Sequence, residues 1–402
     1  MKLEDTLADN GPAIFATRVP DSASVGRLMP LTRRRSDAGA REGRFIFVLQ
    51  DARDDLHASS IRQGLLRHQE FEATVIQLAG PGHDRGIRAR VLGIQSTLQA
   101  SLRARRALNV QLGAQPAAVI FVDSQASALL AARVTAAVPT VISIEATRHN
   151  HDALRGRRGP LWRLLGWAAD LLNRRAYARA RALVASSHWV ADSLIRDYRV
   201  KPEKVHVLRP GVDLSTFRPA SGAREPGPVR VLFVGADFLQ RGGLDLLAAM
   251  GRLGERAELD IVSASAVGPL QPGLRWRVHH DLRPHSAELA GLYRRADIFA
   301  LPSSCEDLAT AIARAIACGL PVVACSTGAT SELVIDGVNG FLVPPSDPLR
   351  LGRVIETLID NPELRRTMGH KSLELAQQEH DSVRNIDSLF GLLRGAAATP
   401  HE

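Results

Sequence analysis

Short apolar runs recur along this chain, each separated from the next by a stretch with helical spacing. RFIFVLQ (44–50), ATVIQLA (73–79), AAVIFVD (117–123), PTVISIEA (139–146) and ALVASS (182–187) read as buried strands. Helical patterns fill the intervals near 58–68, at 87–112, at 127–137 and at 161–182, and a shorter one follows at 188–198. Strands alternating with helices in this way form a parallel sheet covered by helices on both faces. VHVLRPGVD (205–213) closes this half of the chain.

The rhythm then restarts. RPASGAREPGP (218–228) holds three Pro and two Gly in eleven residues, the composition of a domain linker. Beyond it, strands are predicted at 229–236, 257–264, 274–280, 297–303, 321–325 and 340–344. Helices are predicted at 242–253, 288–296, 308–318 and 383–394. A length of 402 residues suits two domains. The expected fold class is α/β, two doubly wound Rossmann-like units facing a cleft, with the carboxyl ends of the strands turned toward it. The expected boundaries are a disordered arm at 1–43, a first domain at 44–217, the linker at 218–228 and a second domain at 229–380. A C-terminal helix at 381–397 is expected to pack back on the first domain.

Composition narrows the class further. Apolar residues make up 45% and charged residues 23%, an ordinary foldable mix. No apolar run reaches the length of a membrane span. The N-terminus carries acids where a secretion signal has bases, so a cytoplasmic location is expected. Cys305, Cys318 and Cys325 show neither a pairing pattern nor metal spacing and read as small buried hydrophobes.

The charge is uneven. The chain carries a net +9, and residues 148–181 hold nine Arg against Asp152 and Asp170, which concentrates most of that excess in one segment. Trp162 and Trp167 stand in the same segment. Arg and Trp on one amphipathic helix predict docking on an anionic membrane surface, at the inner face. The alternative is a solvated helix whose Trp residues are core. No nucleic-acid-reading motif accompanies the charge, so nucleic acid is not an expected partner.

The second half carries a recognisable order of motifs. LPSSCEDLATAIARAIACGLPVVACSTGATSELVIDGVNGFLVPPSDP resembles glycosyltransferase family 4, whose members have the two-domain GT-B fold. VRVLFVGADFLQRGGLDLL, SSHWVADSLIRDYRVKPEKVHVLRPGVDLSTF and LAGLYRRADIFALPS support the resemblance in the family's order. It is dense over 182–350 and traceable over 44–181 and 351–394. It implies a retaining transferase that moves a hexose-type sugar from a nucleotide sugar (a UDP- or GDP-sugar) to a hydroxyl on a glycan or lipid-linked acceptor. No cofactor and no metal are implied.

The resemblance also assigns residues. Glu306 falls on the acid that contacts the donor sugar, and Arg241 on the phosphate clamp; these two are the catalytic candidates. The donor site would further include Gly235, Gly242, Asp307, Leu308, Ala309, Thr310, Arg314 and Glu332. On the acceptor side, His57, Glu145 and His149 follow strand ends that point at the cleft.

Four departures from the family pattern fall in this one site. Arg314 replaces the second acid, which holds ribose hydroxyls; a guanidinium only donates, so the hydrogen-bond polarity is reversed. It is equally readable as an ion pair with Glu306 or Glu332. Ala236 replaces a common basic residue. Asp307-Leu308-Ala309-Thr310 lacks the glycines that let backbone amides approach a diphosphate. Gln50-Asp51-Ala52-Arg53-Asp54-Asp55 lacks a glycine pair. A degenerate, non-catalytic GT-B subunit that binds a partner protein or a glycan is therefore the second reading. A dehydrogenase is excluded, because neither domain's first strand is followed by G-x-G-x-x-G.

Overall fold

The computed structural model describes residues 15–18, 43–51, 56–68, 72–79, 87–123, 138–155, 160–222, 227–267, 273–280, 282–304 and 310–398. The expected helix at 127–137 and residues 52–55 lie outside these.

The first domain is a parallel sheet of β1 (Phe15–Arg18), β2 (Arg44–Asp51), β3 (Glu72–Ala79), β4 (Val119–Val122), β5 (Thr140–Ile144), β6 (Ala182–Ala185) and β7 (Val205–Val207). Its order is β1-β3-β2-β4-β5-β6-β7. The strands read as unbroken apolar runs because both faces are covered. Ile46, Val48, Ile120 and Val122 face α2 (Ile87–Ala114), α4 (Pro160–Arg179) and α5 (His188–Arg196) through Leu108, Tyr177 and Val190. Phe45, Phe47, Leu49 and Phe121 face the other way, against α1 (Leu56–Arg67) and the C-terminal helix α12 (Ser382–Ala398). Successive strand residues alternate between the two layers, as period-2 geometry requires.

β1 corrects one expectation. The segment 1–43 was expected to be a disordered arm, yet Phe15–Arg18 pairs parallel with Thr74–Gln77 of β3. A four-residue strand is too short to register as a pattern; the unpaired edge of β3 supplies what its sequence does not.

The second domain carries β8 (Val229–Val234), β9 (Ala257–Val262), β10 (Arg275–His279), β11 (Ile298–Leu301), β12 (Val322–Cys325) and β13 (Gly340–Val343), in the order β10-β9-β8-β11-β12-β13. Around it stand α6 (Gly243–Met250), α7 (Ala287–Arg295), α8 (Thr310–Ala317), α9 (Thr330–Leu333), α10 (Pro348–Asp360) and α11 (Pro362–Glu379). α10 and α11 escaped the pattern reading, although each opens with Pro in its first turn, a helix-start signal. In both sheets the strand order reverses beside the domain's first core strand, between β2 and β4 and between β8 and β11. Open parallel sheets bind ligands at that switch point, at the carboxyl ends of the strands.

The chain crosses between domains twice, and the crossings are zipped together. Val212 N donates to His380 O at 2.7 Å and Ser382 N to Val212 O at 3.1 Å. Gly211 allows this approach, since a Cβ there would lie 2.3 Å from Ser382 Cα. α12 then returns to the first domain. Phe390 is fully buried, 5.8 Å from the Phe47 ring and stacked 4.5 Å from His68. No described helix is long and apolar enough to cross a membrane.

Candidate functional site at the β8/β11 switch point

The loop after β8 is folded against the loop after β11. Gly235 N donates to Val262 O at 3.0 Å and Phe238 N to Ser265 Oγ at 2.8 Å, which fixes the start of the turn. Arg241 N donates to Asp237 O at 3.1 Å and closes it. Gly242 has φ +77°, and an added Cβ would lie 2.0 Å from Pro302 O. Only glycine fits that conformation and that approach. An added Cβ on Gly235 would meet Arg241 Cγ at 3.1 Å, so Gly235 makes room for the Arg241 stem. Three expected donor-site residues are thus brought together.

α6 starts directly behind this turn, and Gly242 gives it no side-chain cap. The positive end of a helix and the half-buried Arg241 side chain thus stand side by side at the switch point, a pairing of positive groups that favours an anionic group. Ala236, exposed, adds no charge there. On the β11 side, Glu306, Asp307, Leu308 and Ala309 lie outside the described residues. Thr310 opens α8.

Arg314 is 6% exposed. Its guanidinium carbon lies 5.3 Å from the centroid of Phe217, and its Nε is buried without a hydrogen-bond partner. Beside it the Tyr293 hydroxyl donates to Ala311 O at 3.2 Å, and burial pushes that phenol far above its ordinary pKa. The aromatic group continues through Phe217–Tyr293 and Tyr293–Phe299 contacts at 5.6 and 5.7 Å. Arg314 therefore packs within the second domain's core. The expected alternative of an ion pair with Glu332 fails, because that carboxylate is engaged elsewhere.

Glu332 reaches the first domain. Its Oε2 accepts from His188 N at 2.9 Å and its Oε1 from Trp189 N at 2.8 Å. Arg209, in the first crossing, approaches the same carboxylate at 3.4 Å and holds Glu379 at 2.7 Å. Between these groups lies a small, partly open pocket lined by Ser186, Ser187, Arg209, Pro210, Thr310, Ala313, Ala329, Glu332, Leu333 and His380. His380 Nδ1 donates to Pro210 O at 3.0 Å and its buried Nε2 has no partner. Burial pushes the His380 imidazole below its ordinary pKa, which matches a neutral ring with Nδ1 protonated. Sequence reading missed Arg209, Ser187 and His380. Their only signal was position beside a strand end or a domain crossing.

The acceptor-side candidates stand on separate elements. His57 lies in the first turn of α1. Glu145 is exposed at the end of β5, where its carbonyl accepts from Ser186 Oγ at 2.9 Å. His149, on α3 (Arg148–Arg155), is 3.3 Å from Asp170 Oδ2 and edge-on to Tyr198 at 5.3 Å. Arg148 donates to Asp170 and to Asp152, so this part of the basic segment is neutralised within the fold. Gly166 permits it, since a Cβ there would lie 2.8 Å from the Arg148 guanidinium. Among the described residues, no group of three or more His, Cys, Asp and Glu could hold a metal ion.

Two doubly wound domains, each reversed at a switch point and facing a shared junction, define the GT-B class of glycosyltransferase fold. Residues 55–216 match the family model described as Glycosyltransferase Family 4, and residues 228–361 match glycosyl transferases group 1; the chain belongs to this family. Similar curated proteins include D-inositol 3-phosphate glycosyltransferases. That of Xylanimonas cellulosilytica is 35% identical over 205 residues, 45% of this chain and 49% of the relative. That of Segniliparus rotundus is 32% identical over 264 residues, 60% of this chain and 58% of the relative. The chain spans about half the length of the curated relatives it matches. Among solved structures, a sucrose-phosphate synthase from Thermosynechococcus elongatus superposes with a TM-score of 0.70 at 16% identity, over 88% of this chain and 98% of that one. The Anabaena protein HepE in complex with UDP-glucose superposes with a TM-score of 0.62 at 17% identity, over 88% and 100%.

Proposed function

We propose that this chain is a retaining glycosyltransferase that moves a hexose-type sugar from a nucleotide-sugar donor to an acceptor hydroxyl. The observation that carries the reading is the Arg241 turn, held by Gly235 and Gly242 at the β8/β11 switch point, in front of the uncapped start of α6. A cationic side chain on a fixed turn, beside a helix end, suits the charge that develops on a departing diphosphate. The solved HepE complexes with UDP and with UDP-glucose support a nucleotide-sugar donor for the fold. In a retaining transfer the acceptor attacks on the face the diphosphate leaves, and a diphosphate oxygen takes the acceptor proton, so no separate protein base is required. Glu306 contacts the donor sugar in this reading.

The similarity to D-inositol 3-phosphate glycosyltransferases supports a polyol phosphate as one acceptor class. A lipid-linked glycan is the other, supported by α4. Trp167 there is 65% exposed and Leu171 39%, near exposed Arg174, Arg175 and Arg179. Such a face suits the cytoplasmic side of an anionic membrane. Co-sedimentation with vesicles that does not respond to anionic lipid would remove that part.

Calorimetric titration with UDP, GDP and ADP, then with the matching nucleotide sugars, tests the donor site. One nucleotide is expected to bind saturably, and Arg241→Ala is expected to weaken it about tenfold or more. Arg314 favours the second reading, a non-catalytic subunit, because a core-packed guanidinium does not accept ribose hydroxyls. A folded protein that binds no nucleotide at millimolar concentration would establish that reading instead.

A further inference from the structure

The N-terminus of α5 is completed by the other domain. A helix opens with amides that have no partner inside it. Here the Ser187 hydroxyl accepts from Val190 N at 3.2 Å and serves that amide alone. The two amides before it, His188 N and Trp189 N, both donate to the Glu332 carboxylate, one to each oxygen. Charge-assisted contacts of this bidentate kind are the stronger class of hydrogen bond and are strict about geometry. Glu332 is only 16% exposed, and Arg209 flanks it from the crossing segment.

Glu332 is also tied to the donor side. It stands on α9, directly after the loop 326–329. Thr327 Oγ1 in that loop donates to Ser303 O at 3.1 Å, at the end of β11. The chain then runs from Ser303 toward Glu306. One carboxylate thus links the acceptor domain's α5 to the rim of the donor crevice.

We propose that Glu332 is a positioning residue, a latch that sets the angle between the two domains by capping α5 across the junction. The inference rests on the transferase reading for its effect on turnover, and on geometry alone for the latch. With the latch removed, the donor crevice keeps its own residues and the acceptor domain loses its fixed place against them. Misplacement of this kind costs turnover far more than donor binding.

Amide hydrogen exchange on the full chain reads the latch directly. In Glu332→Ala the His188 and Trp189 amides are expected to exchange at least about tenfold faster, while Val190, held by Ser187, stays protected. Glu332→Gln, which keeps one acceptor oxygen, is expected to fall between. Ser331→Ala, an exposed neighbour, serves as the reference and is expected to change nothing. The radius of gyration from small-angle scattering is expected to rise in Glu332→Ala. For turnover, kcat/KM for acceptor is expected to fall about tenfold or more, with nucleotide affinity held within about threefold. If Glu332→Ala fails to fold, Glu332→Gln carries the same readings. Unchanged exchange at 188 and 189 overturns the latch. Faster exchange with unchanged turnover overturns the positioning role. If the wild type binds no nucleotide, the transferase reading falls, and the exchange result still decides the latch.

Discussion

The Arg314 guanidinium lies 5.3 Å from the ring of Phe217, inside the second domain. The family resemblance sets an acid at this position; the arginine that stands there is part of an aromatic cluster with Phe217 and Tyr293. Restoring the acid by Arg314→Glu is expected to destabilise the protein by about 3 kcal/mol or more, since it buries a carboxylate against two rings. Arg314→Met keeps most of the volume and forfeits the cation–π contact, at about 1 kcal/mol. Urea unfolding of the three proteins checks the ranking. Equal stability of the Glu variant would mean that the side chain turns out into the crevice.

Gly242→Ala is expected to be more disruptive than its size suggests. The substitution combines φ +77° with a Cβ only 2.0 Å from Pro302 O. Backbone on both sides of the switch point must move, at an expected cost of about 2 kcal/mol or more. Nucleotide affinity is expected to fall with it, because the Arg241 turn moves. Thermal unfolding and calorimetric titration measure the two effects separately.

His380 makes stability depend on pH. Its ordinary value is 6.5, and burial lowers it in the folded protein. Below pH 6.5 the unfolded chain takes up a proton there and the folded protein does not, until pH falls below the lowered value. Stability is therefore expected to fall as pH drops through 6.5 and to level off below the folded value. One group contributes at most about 1.4 kcal/mol per pH unit. His380→Asn offers an amide N–H near the position of Nδ1 and does not titrate. The difference between the wild-type and variant pH profiles isolates the effect, and parallel profiles would refute it.

Phe390 joins the last helix to the first domain. It is fully buried against Phe47, Phe121 and Ile61 in one apolar layer. Phe390→Ala is expected to cost about 3–5 kcal/mol. Removal of residues after 381 uncovers that layer and is expected to give an aggregating protein. Denaturation midpoints and size-exclusion profiles report the two outcomes. A monodisperse truncated chain would show that α12 is dispensable.

Much of the fold was legible in the sequence. Runs such as RFIFVLQ and VRVLFVG are strands because their residues are apolar on both faces, and the helices between them keep a 3.6-residue stripe. β1 was not legible, since four residues extend only against an edge that β3 leaves open. Of the candidate donor site, Gly235, Arg241 and Gly242 were legible as a turn before a helix. Arg314 was visible as a departure, but its burial was not, because one helix face can look to a crevice or to a core with the same spacing.

Sequence alone determined the two-unit α/β plan and the family order of motifs, because periodicity and turn chemistry are local properties. Tertiary structure alone decided the partners. Glu332 looks like a helix-start acid in sequence, yet its hydrogen bonds fall on His188 and Trp189, more than 140 residues away. Arg209 and His380 acquire meaning only where the two crossings meet. Local pattern carries no information about which distant amide lacks a partner; packing of one domain on the other supplies it.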